Sequence, residues 1–393
     1  MKTKNNQATL AVTTSHREAL PIEPIADDLV LYMAFELSAK EWKLAITDGR
    51  PQMRMVTVLS ANLEGLKEEI KRAKKKFGLE PGCRVLSCYE AGRDGFWLHR
   101  FLVTIGVENV VVDSASIEVN RRKRRAKTDR LDASKLVFML MRYHGGESKL
   151  WSVARVPSVQ DEDARQLHRE LEQLKRQTVQ HRTRIGALLC TQGVRVKLDK
   201  HFIERLEQAR TYDGTELPEY LINRIIREYE LLRTVQKQIY AIDAERRKLL
   251  KEAKTERINK VKQLYRLCGV GINGAWLLVM EFFGWRVFEN RRQVGGAAGL
   301  TGTPFDSGVK GRDQGISKAG NRRIRWIMTE LAWGWLRFQP ESKLSLWYAE
   351  KFASGKSRTR RIGITALARR LLIDLWRFVE QGTIPEGAVF KSV

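Results

Sequence analysis

The order of strand-like and helical segments between residues 28 and 115 constrains the fold of this 393-residue chain more than any other feature. Three β-rich runs come first, separated by short turns, at 29–37, 41–47 and 54–60. Helical and strand-like patterns then alternate, at 62–76, 84–90, 96–105 and 107–113. Three antiparallel strands that lead into helix–strand–helix–strand units predict an α/β sheet of the ribonuclease H class.

Four carboxylates stand at the ends of these predicted elements. Glu36 lies in the first strand-like run, and Glu90 ends the run at 84–90. Asp129 and Asp132 open the next helical pattern, where a spacing of three residues puts both on one helix face. Hard cations such as Mg²⁺ or Mn²⁺ prefer oxygen ligands, and a pair of them can clamp a phosphodiester during in-line displacement. The pattern therefore predicts a metal-dependent site for phosphodiester chemistry.

The charge balance indicates a polyanionic partner. Lys and Arg number 71 against 46 Asp and Glu, a formal net charge of +25. Binding to nucleic acid is favoured because each neutralised phosphate releases counterions. A cationic membrane-surface protein is the alternative, but it needs a lipid anchor or a strongly amphipathic basic helix, and the sequence has no convincing case of either. The polar segment 1–26 is expected to be a flexible tail rather than a signal peptide.

A dense basic run directly precedes the two helical acids. We interpret it as a phosphate-binding segment, with a solvated loop as the plainer alternative. Its cationic residues are Arg121, Arg122, Lys123, Arg124, Arg125 and Lys127.

Two long helices with heptad seams are predicted in the middle of the chain, at 161–190 and 220–252. A basic stretch at 193–218 joins them, so the pair predicts an antiparallel hairpin or a dimerisation arm. His181 lies on the first seam and is expected to be a packed histidine rather than a metal ligand.

The last third of the chain, 260–385, predicts a mostly helical region. A Gly-Val-Gly turn at 269–271 precedes an apolar run at 275–283, which resembles a helix-hairpin-helix. A basic, glycine-rich stretch follows at 301–325, and an amphipathic helix is expected at 363–379. Most of the seven tryptophans here are expected in the core, while one or two could stack on unpaired bases.

Three blocks of sequence resemble the IS110-family transposases. They are Lys-Thr-Asp-Arg-Leu-Asp-Ala at 127–133, Tyr-Glu-Ala-Gly at 89–92, and the pair Asp-Ser-Gly at 306–308 with Gly-Ile-Ser-Lys-Ala-Gly-Asn-Arg-Arg-Ile-Arg at 315–325. The resemblance covers about 29–380 in the family's order. It implies a RuvC-type, ribonuclease-H-like domain with an acidic tetrad at 27–155 and a coiled-coil oligomerisation region at 156–258. A mostly α transposase domain with a catalytic serine would follow at 259–393.

The function implied by this resemblance is RNA-guided DNA recombination that depends on Mg²⁺ or Mn²⁺. The family is similar to recombinases that use a noncoding bridge RNA to choose target and donor DNA, acting as dimers that pair into tetramers. A cytoplasmic, nucleoid-associated enzyme without membrane contact is therefore expected.

Transferred position by position, the resemblance assigns four acids and one serine. Glu90, Asp129 and Asp132 match the family's second, third and fourth acids, and Ser307 matches its nucleophile. Glu36 stands where the family has Asp on the first strand. Glutamate is one methylene longer, and a misplacement of about 1 Å can lower a rate roughly 10²-fold.

Ser307 would attack a DNA phosphate and hold the strand as a phosphoserine until a second strand displaces it. Ser317 is a rival nucleophile, ranked lower because its block fits a backbone or phosphate contact better. Nucleic-acid contacts near the serine are assigned to Lys310, Arg312, Lys318, Asn321, Arg322, Arg323 and Arg325.

Two alternatives remain open. A structure-selective nuclease of the Holliday-junction-resolvase type would use the four acids with water as nucleophile and would not need Ser307. A catalytically weakened transposase relic would bind nucleic acid without cutting it, with Glu36 marking the lost chemistry.

Overall fold

The computed structural model describes residues 29–117, 129–307 and 310–392. The chain divides into two compact units, Met1–Val156 and Pro157–Val393. The first is an α/β unit and the second is mostly helical, with one two-stranded ribbon.

The first unit is built on a five-stranded mixed sheet. Its strands are β1 Leu31–Leu37, β2 Glu41–Thr47, β3 Arg54–Leu59, β4 Val85–Glu90 and β5 Val107–Val112. The spatial order is β3-β2-β1-β4-β5, with β1, β2 and β3 antiparallel and β4 parallel to both β1 and β5. All five strands were predicted to within two residues, and the first three were predicted to be antiparallel. Assignment to the ribonuclease H class stays a prediction.

Both faces of this sheet are covered by helices. These are α1 Leu63–Lys76, α2 Trp97–Thr104 and α3 Asp129–His144, with a short 3₁₀ turn at Ser114–Ser116. Met33 and Phe35 share one buried cluster with Leu66 of α1 and Leu98 of α2. The residues between them on the strands, such as Ala34, point to the opposite face of the sheet and pack against α3. Burial on both faces explains why the strands read as nearly continuous apolar runs.

The second unit begins with a helical hairpin. Its helices are α4 Val159–Asp163, α5 Gln166–Cys190, α6 Phe202–Gln208 and α7 Glu219–Glu252. The far end of α5 packs with the start of α7, where Ile185 and Ile225 share a buried cluster, so the two helices are antiparallel. His181 Nδ1 lies 2.7 Å from Glu228 Oε2 across the hairpin, which confirms a packed, paired histidine. Oligomerisation through this hairpin stays a prediction.

The remaining helices surround one large apolar core. They are α8 Glu256–Tyr265, α9 Ile272–Leu278, α10 Arg291–Ala297, α11 Arg322–Phe338, α12 Lys343–Tyr348 and α13 Ser357–Gln381, with π-helical turns at Val279–Phe283 and Ala349–Ala353. A β-ribbon of β6 Gly302–Ser307 and β7 Lys310–Ile316 forms within the basic, glycine-rich stretch, where no strand was predicted. No helix in the described ranges is long and apolar enough to cross a membrane.

Candidate active site

Strands β1 and β4 end in carboxylates at the same edge of the sheet. The two strands are parallel neighbours, and their register runs from Leu31 opposite Val85 to Phe35 opposite Tyr89. Glu36 and Glu90 are the next residues on each strand. Because neighbouring strands lie about 4.8 Å apart, the backbones of the two glutamates are close together at the carboxyl edge.

The alternation of side chains directs both glutamates to one face. Glu36 has the same orientation as Ala34, and Glu90 has the same orientation as Cys88. Ala34 and Cys88 are both fully buried in the cluster that α3 covers. The two carboxylates therefore extend from the sheet face on which α3 packs.

Helix α3 runs antiparallel to these strands and brings a third carboxylate to the same edge. Its last residue, His144, lies 2.8 Å through Nδ1 from the Tyr32 hydroxyl near the start of β1. Eight residues earlier in α3, the Leu136 carbonyl accepts a hydrogen bond at 3.7 Å from the Cys88 thiol, which lies near the end of β4. Asp132 precedes Leu136 by four residues, about 6 Å along the helix, and Glu90 follows Cys88 by about 6.6 Å along the strand. Asp132 thus comes level with Glu90.

The carboxylate set has the chemistry of a hard-metal site, but its assembly stays a prediction. Glu36 and Asp132 are half-buried and Glu90 is exposed. Carboxylate oxygens are the ligands that Mg²⁺ and Mn²⁺ prefer. Among the described side chains, no three or more His, Cys, Asp or Glu stand close enough to hold a metal ion. Asp129 begins α3, but its side chain lies outside the described part, as does the basic run at 121–127.

The β-ribbon separates the two candidate serines. Ser307 pairs with Lys310 at the tip of the ribbon, while its side chain and those of Lys310 and Arg312 lie outside the described part. Ser317 is at the foot, where its N–H donates to the Thr301 carbonyl at 2.8 Å. Six residues of strand span about 20 Å. The two serines therefore occupy different places on the unit rather than neighbouring positions in one site.

Two glycines hold the foot of the ribbon against the end of α10. Gly299 has φ +67° and Gly320 has φ +131°, both in the region that favours glycine. A Cβ on Gly299 would lie 2.6 Å from the Ala319 carbonyl oxygen, and a Cβ on Gly320 would lie 2.6 Å from that of Ala297. Close backbone packing thus accounts for the glycine that precedes Asn321.

Three of the predicted nucleic-acid contacts have partners within the protein. The Asn321 side chain caps α11 by accepting from the N–H groups of Arg323 and Ile324. Arg323 Nε donates to Glu172 Oε2 at 3.0 Å, and Arg325 donates to the Ala298 carbonyl at 3.3 Å. Lys318 and Arg322 are exposed. Contact of these residues with nucleic acid stays a prediction.

A buried ion pair between α5 and the π-helical turn at Val279–Phe283 was not among the predicted site residues. Glu281 lies in the π-helical turn, only 2% exposed, and accepts a two-pronged hydrogen bond from Arg169 at 2.7 and 3.0 Å. Burial raises the pKa of Glu281, but the hydrogen bonds and charge of Arg169 outweigh it, so the pKa is lowered overall. One signal was present in the sequence, since Glu281 is the single charged residue in the apolar run 275–283.

Comparison with known proteins identifies the class. Residues 261–346 match the model described as Transposase IS116/IS110/IS902 family. A Sinorhizobium fredii (strain NBRC 101917 / NGR234) protein named "Putative transposase y4rJ" is 38% identical over 378 residues, covering 92% of this chain and 95% of that protein. The Yersinia enterocolitica "Transposase for insertion sequence element IS1328" is 26% identical over 231 residues, covering 58% of this chain and 66% of its own.

These similarities place the chain among the transposases, enzymes that cut and transfer DNA strands. Identity of 38% across more than nine-tenths of both chains establishes the family. The chain belongs to the IS116/IS110/IS902 family of transposases.

Proposed function

We propose that this transposase is a DNA recombinase that cuts and rejoins target and donor DNA under the guidance of a noncoding RNA. The observation that supports the proposal is the parallel register of β1 and β4, which end in Glu36 and Glu90, together with the packing of α3, which carries Asp132, on the same sheet. The sheet order β3-β2-β1-β4-β5 supports a RuvC-like, ribonuclease-H-type assignment of the first unit.

The three carboxylates, together with Asp129, would hold Mg²⁺ or Mn²⁺. A bound ion of this kind polarises a phosphoryl oxygen and stabilises the charge on the attacking and leaving oxygens. Strand register and helix packing fix the backbone of each acid, so positioning depends on rigid elements rather than on loops.

Ser307 would supply the nucleophile. Its hydroxyl oxygen forms a bond to the DNA phosphorus, loses its proton, and displaces one strand oxygen, which leaves as a hydroxyl. The strand is held as a phosphoserine ester until a hydroxyl of the second strand attacks the phosphorus and releases the serine. Since the number of phosphoester bonds is conserved, rejoining needs no high-energy cofactor.

The partners of the reaction follow from charge and from the helical hairpin. A net charge of +25 suits DNA and RNA held together on one protein. The α5–α7 hairpin is the proposed contact that joins subunits into dimers and tetramers.

A strand-joining reaction tests the proposal. Purified protein, Mg²⁺, the noncoding RNA flanking the gene and labelled DNA with the element's junction should give recombined product, and omitting the RNA should abolish it. Ser307→Ala should stop both cutting and joining, while the matched control Ser317→Ala should retain both.

The same reaction separates the alternatives. Cutting that persists in Ser307→Ala would indicate a resolvase-type nuclease that uses water. Salt-sensitive binding by the wild-type protein with no cutting would indicate a catalytically weakened relic.

A further inference from the structure

The tryptophans of the second unit divide into covered and uncovered rings. Trp276, Trp335 and Trp376 are 8% exposed or less. Trp326 and Trp333 of α11 are 54% and 49% exposed. Both rings are accessible to a ligand, and every nucleic-acid base offers a π-face on which such a ring can stack, so these two positions are candidates for base stacking.

The half-buried tryptophans are covered in a different way. A guanidinium group lies over each ring, with Arg165 4.4 Å from the centroid of Trp285 and Arg370 3.8 Å from that of Trp347. Cation–π contacts of this kind stabilise the ring within the fold. Trp326 and Trp333 are therefore the two most exposed tryptophan rings of the second unit.

Both rings lie on one face of α11, between two arginines. At 3.6 residues per turn, Arg322, Trp326, Trp333 and Arg337 fall within an arc of about 60°. The opposite side of the helix is buried in the core, with Ile324, Met328, Leu331, Ala332 and Trp335. We call the outer surface defined by Arg322, Trp326, Trp333 and Arg337 the tryptophan face.

Charge favours a nucleic acid as the occupant of this face. The two arginines outnumber the single carboxylate of Glu330, which borders the rings, and the chain carries a net charge of +25. Aromatic rings interleaved with arginine bind single strands because every base offers a π-face and every phosphate a charge. In duplex DNA the base faces are stacked on one another and are not available to the tryptophan rings.

We propose that the tryptophan face binds unpaired bases of the DNA strand that Ser307 cuts, an inference that rests on the proposed recombinase function. Trp326 and Trp333 are seven residues apart, about 10.5 Å along the helix. That rise corresponds to about three nucleotides at 3.4 Å each. Each ring would stack on one base, and the arginines would contact the phosphates on either side.

The connection of α11 to the ribbon supports DNA rather than RNA as the occupant. β7 ends at Ile316, and α11 begins at Arg322, so the face starts five residues beyond the foot of the ribbon. The ribbon from Ser307 to its foot spans about 20 Å, or about six nucleotides at the stacked spacing of 3.4 Å. A single strand opened at Ser307 is therefore within reach of the tryptophan face.

Binding of full-length protein to labelled oligonucleotides tests the inference. The probes are an oligothymidylate and an oligouridylate of about twelve nucleotides, within the usual range of single-strand sites, and a duplex of equal length. The variants are Trp326→Ala with Trp333→Ala, and Trp326→Tyr with Trp333→Tyr, which keeps an aromatic ring. Tyr240→Ala is the control, because Tyr240 is a 71% exposed aromatic residue on α7.

The expected result is a selective loss of oligothymidylate binding. The double alanine variant should bind this probe about tenfold more weakly or worse, while duplex binding, the tyrosine variant and the control should stay within about threefold of wild type. The dependence on salt should be unchanged, since no phosphate contact is removed, whereas Arg322→Gln should reduce its slope by about one. Glu330→Gln should strengthen binding.

Three results would overturn the inference. Equal oligothymidylate affinity in wild type and the double alanine variant would remove the stacking role. A loss confined to oligouridylate would assign the face to RNA. A lower molar mass in light scattering with unchanged affinity would make it a subunit interface. If single-strand binding is lost but Ser307-dependent joining is intact, the tryptophan face does not hold the strand that Ser307 cuts. The proposed recombinase function would still stand in that case.

Discussion

At the residue scale, the candidate acids differ in how their positions are fixed. Glu36 and Glu90 are held by strand register, which a single-residue slip would reverse from one face to the other. Asp132 is held by the packing of Ala133 and Leu136 against the sheet. These constraints act on the backbone, so isosteric amide substitutions should change the chemistry of the site without disturbing the fold.

We expect Asp132→Asn and Glu90→Gln each to lower DNA strand cleavage by more than about 100-fold. Removing a residue that only hydrogen-bonds a metal ligand lowers metal affinity or activity roughly 10- to 100-fold. Removing a ligand itself should lower activity further. Single-turnover cleavage of junction DNA measures the effect. Glu108→Gln, the same change at an exposed, Arg84-paired residue of β5, is the control, and an equal defect there would argue against a specific role for the acids.

The buried Glu281–Arg169 pair makes a prediction about stability and pH. Glu281→Gln should lower the free energy of unfolding by up to about 3 kcal/mol. This is the lower end of the range for breaking a buried ion pair, and it applies because Arg169 is 38% exposed. The Glu281 pKa is lowered in the folded state, so the ionised form contributes stability above its ordinary pKa of 4.5, and this contribution disappears as the pH falls through the lower folded value.

Urea unfolding at several pH values measures this contribution. The difference between wild type and Glu281→Gln should be full near neutral pH and shrink well below pH 4.5. Glu64→Gln, at an 81% exposed partner of Lys67, should have little effect at any pH. A difference that grows on acidification would contradict the assigned sign.

At the element scale, the sequence predicts regular elements well and irregular ones poorly. The five strands and α7 have apolar patterns that decide their type, so their bounds were predicted to within two residues. The predicted helix at 161–190 is divided into α4 and α5, α13 begins six residues before the predicted start at 363, and α11 was not predicted. The β6–β7 ribbon was missed because its residues are glycine-rich and basic, and its pairing is specified by backbone geometry at its ends. The position of Glu36 and Glu90 at one edge of the sheet could be anticipated from the ends of their strands, whereas the Arg323–Glu172 pair joins residues far apart in sequence and has no local signal.

The glycines at the foot of the ribbon give a matched pair of substitutions. Gly299→Ala should destabilise the second unit by more than about 1–2 kcal/mol, the penalty of a left-handed backbone for an L-residue, because its Cβ would also meet the Ala319 carbonyl oxygen. Gly296→Ala, three residues earlier in α10 with nothing within 4 Å, should stabilise by about 0.5–1 kcal/mol. Thermal unfolding compares them, and equal melting temperatures would refute the backbone argument.

At the scale of the whole molecule, charge and composition describe a protein committed to polyanions. The net charge of +25 is spread over two compact units, one with the carboxylates and one with the ribbon that ends at Ser307. We expect affinity for junction DNA to fall about 10³- to 10⁵-fold between 50 and 200 mM salt if six to ten phosphates are contacted. Fluorescence anisotropy across a salt series measures the slope, and a flat response would exclude phosphate contacts as the main source of affinity.

The most direct test of the account is a search for a covalent protein–DNA adduct on a denaturing gel. Wild-type protein with Mg²⁺, the flanking noncoding RNA and labelled junction DNA should give an adduct that resists denaturation. The adduct should be absent in Ser307→Ala and Asp132→Asn and present in Ser317→Ala. Nicked DNA without any adduct, or an adduct that persists in Ser307→Ala, would contradict the account.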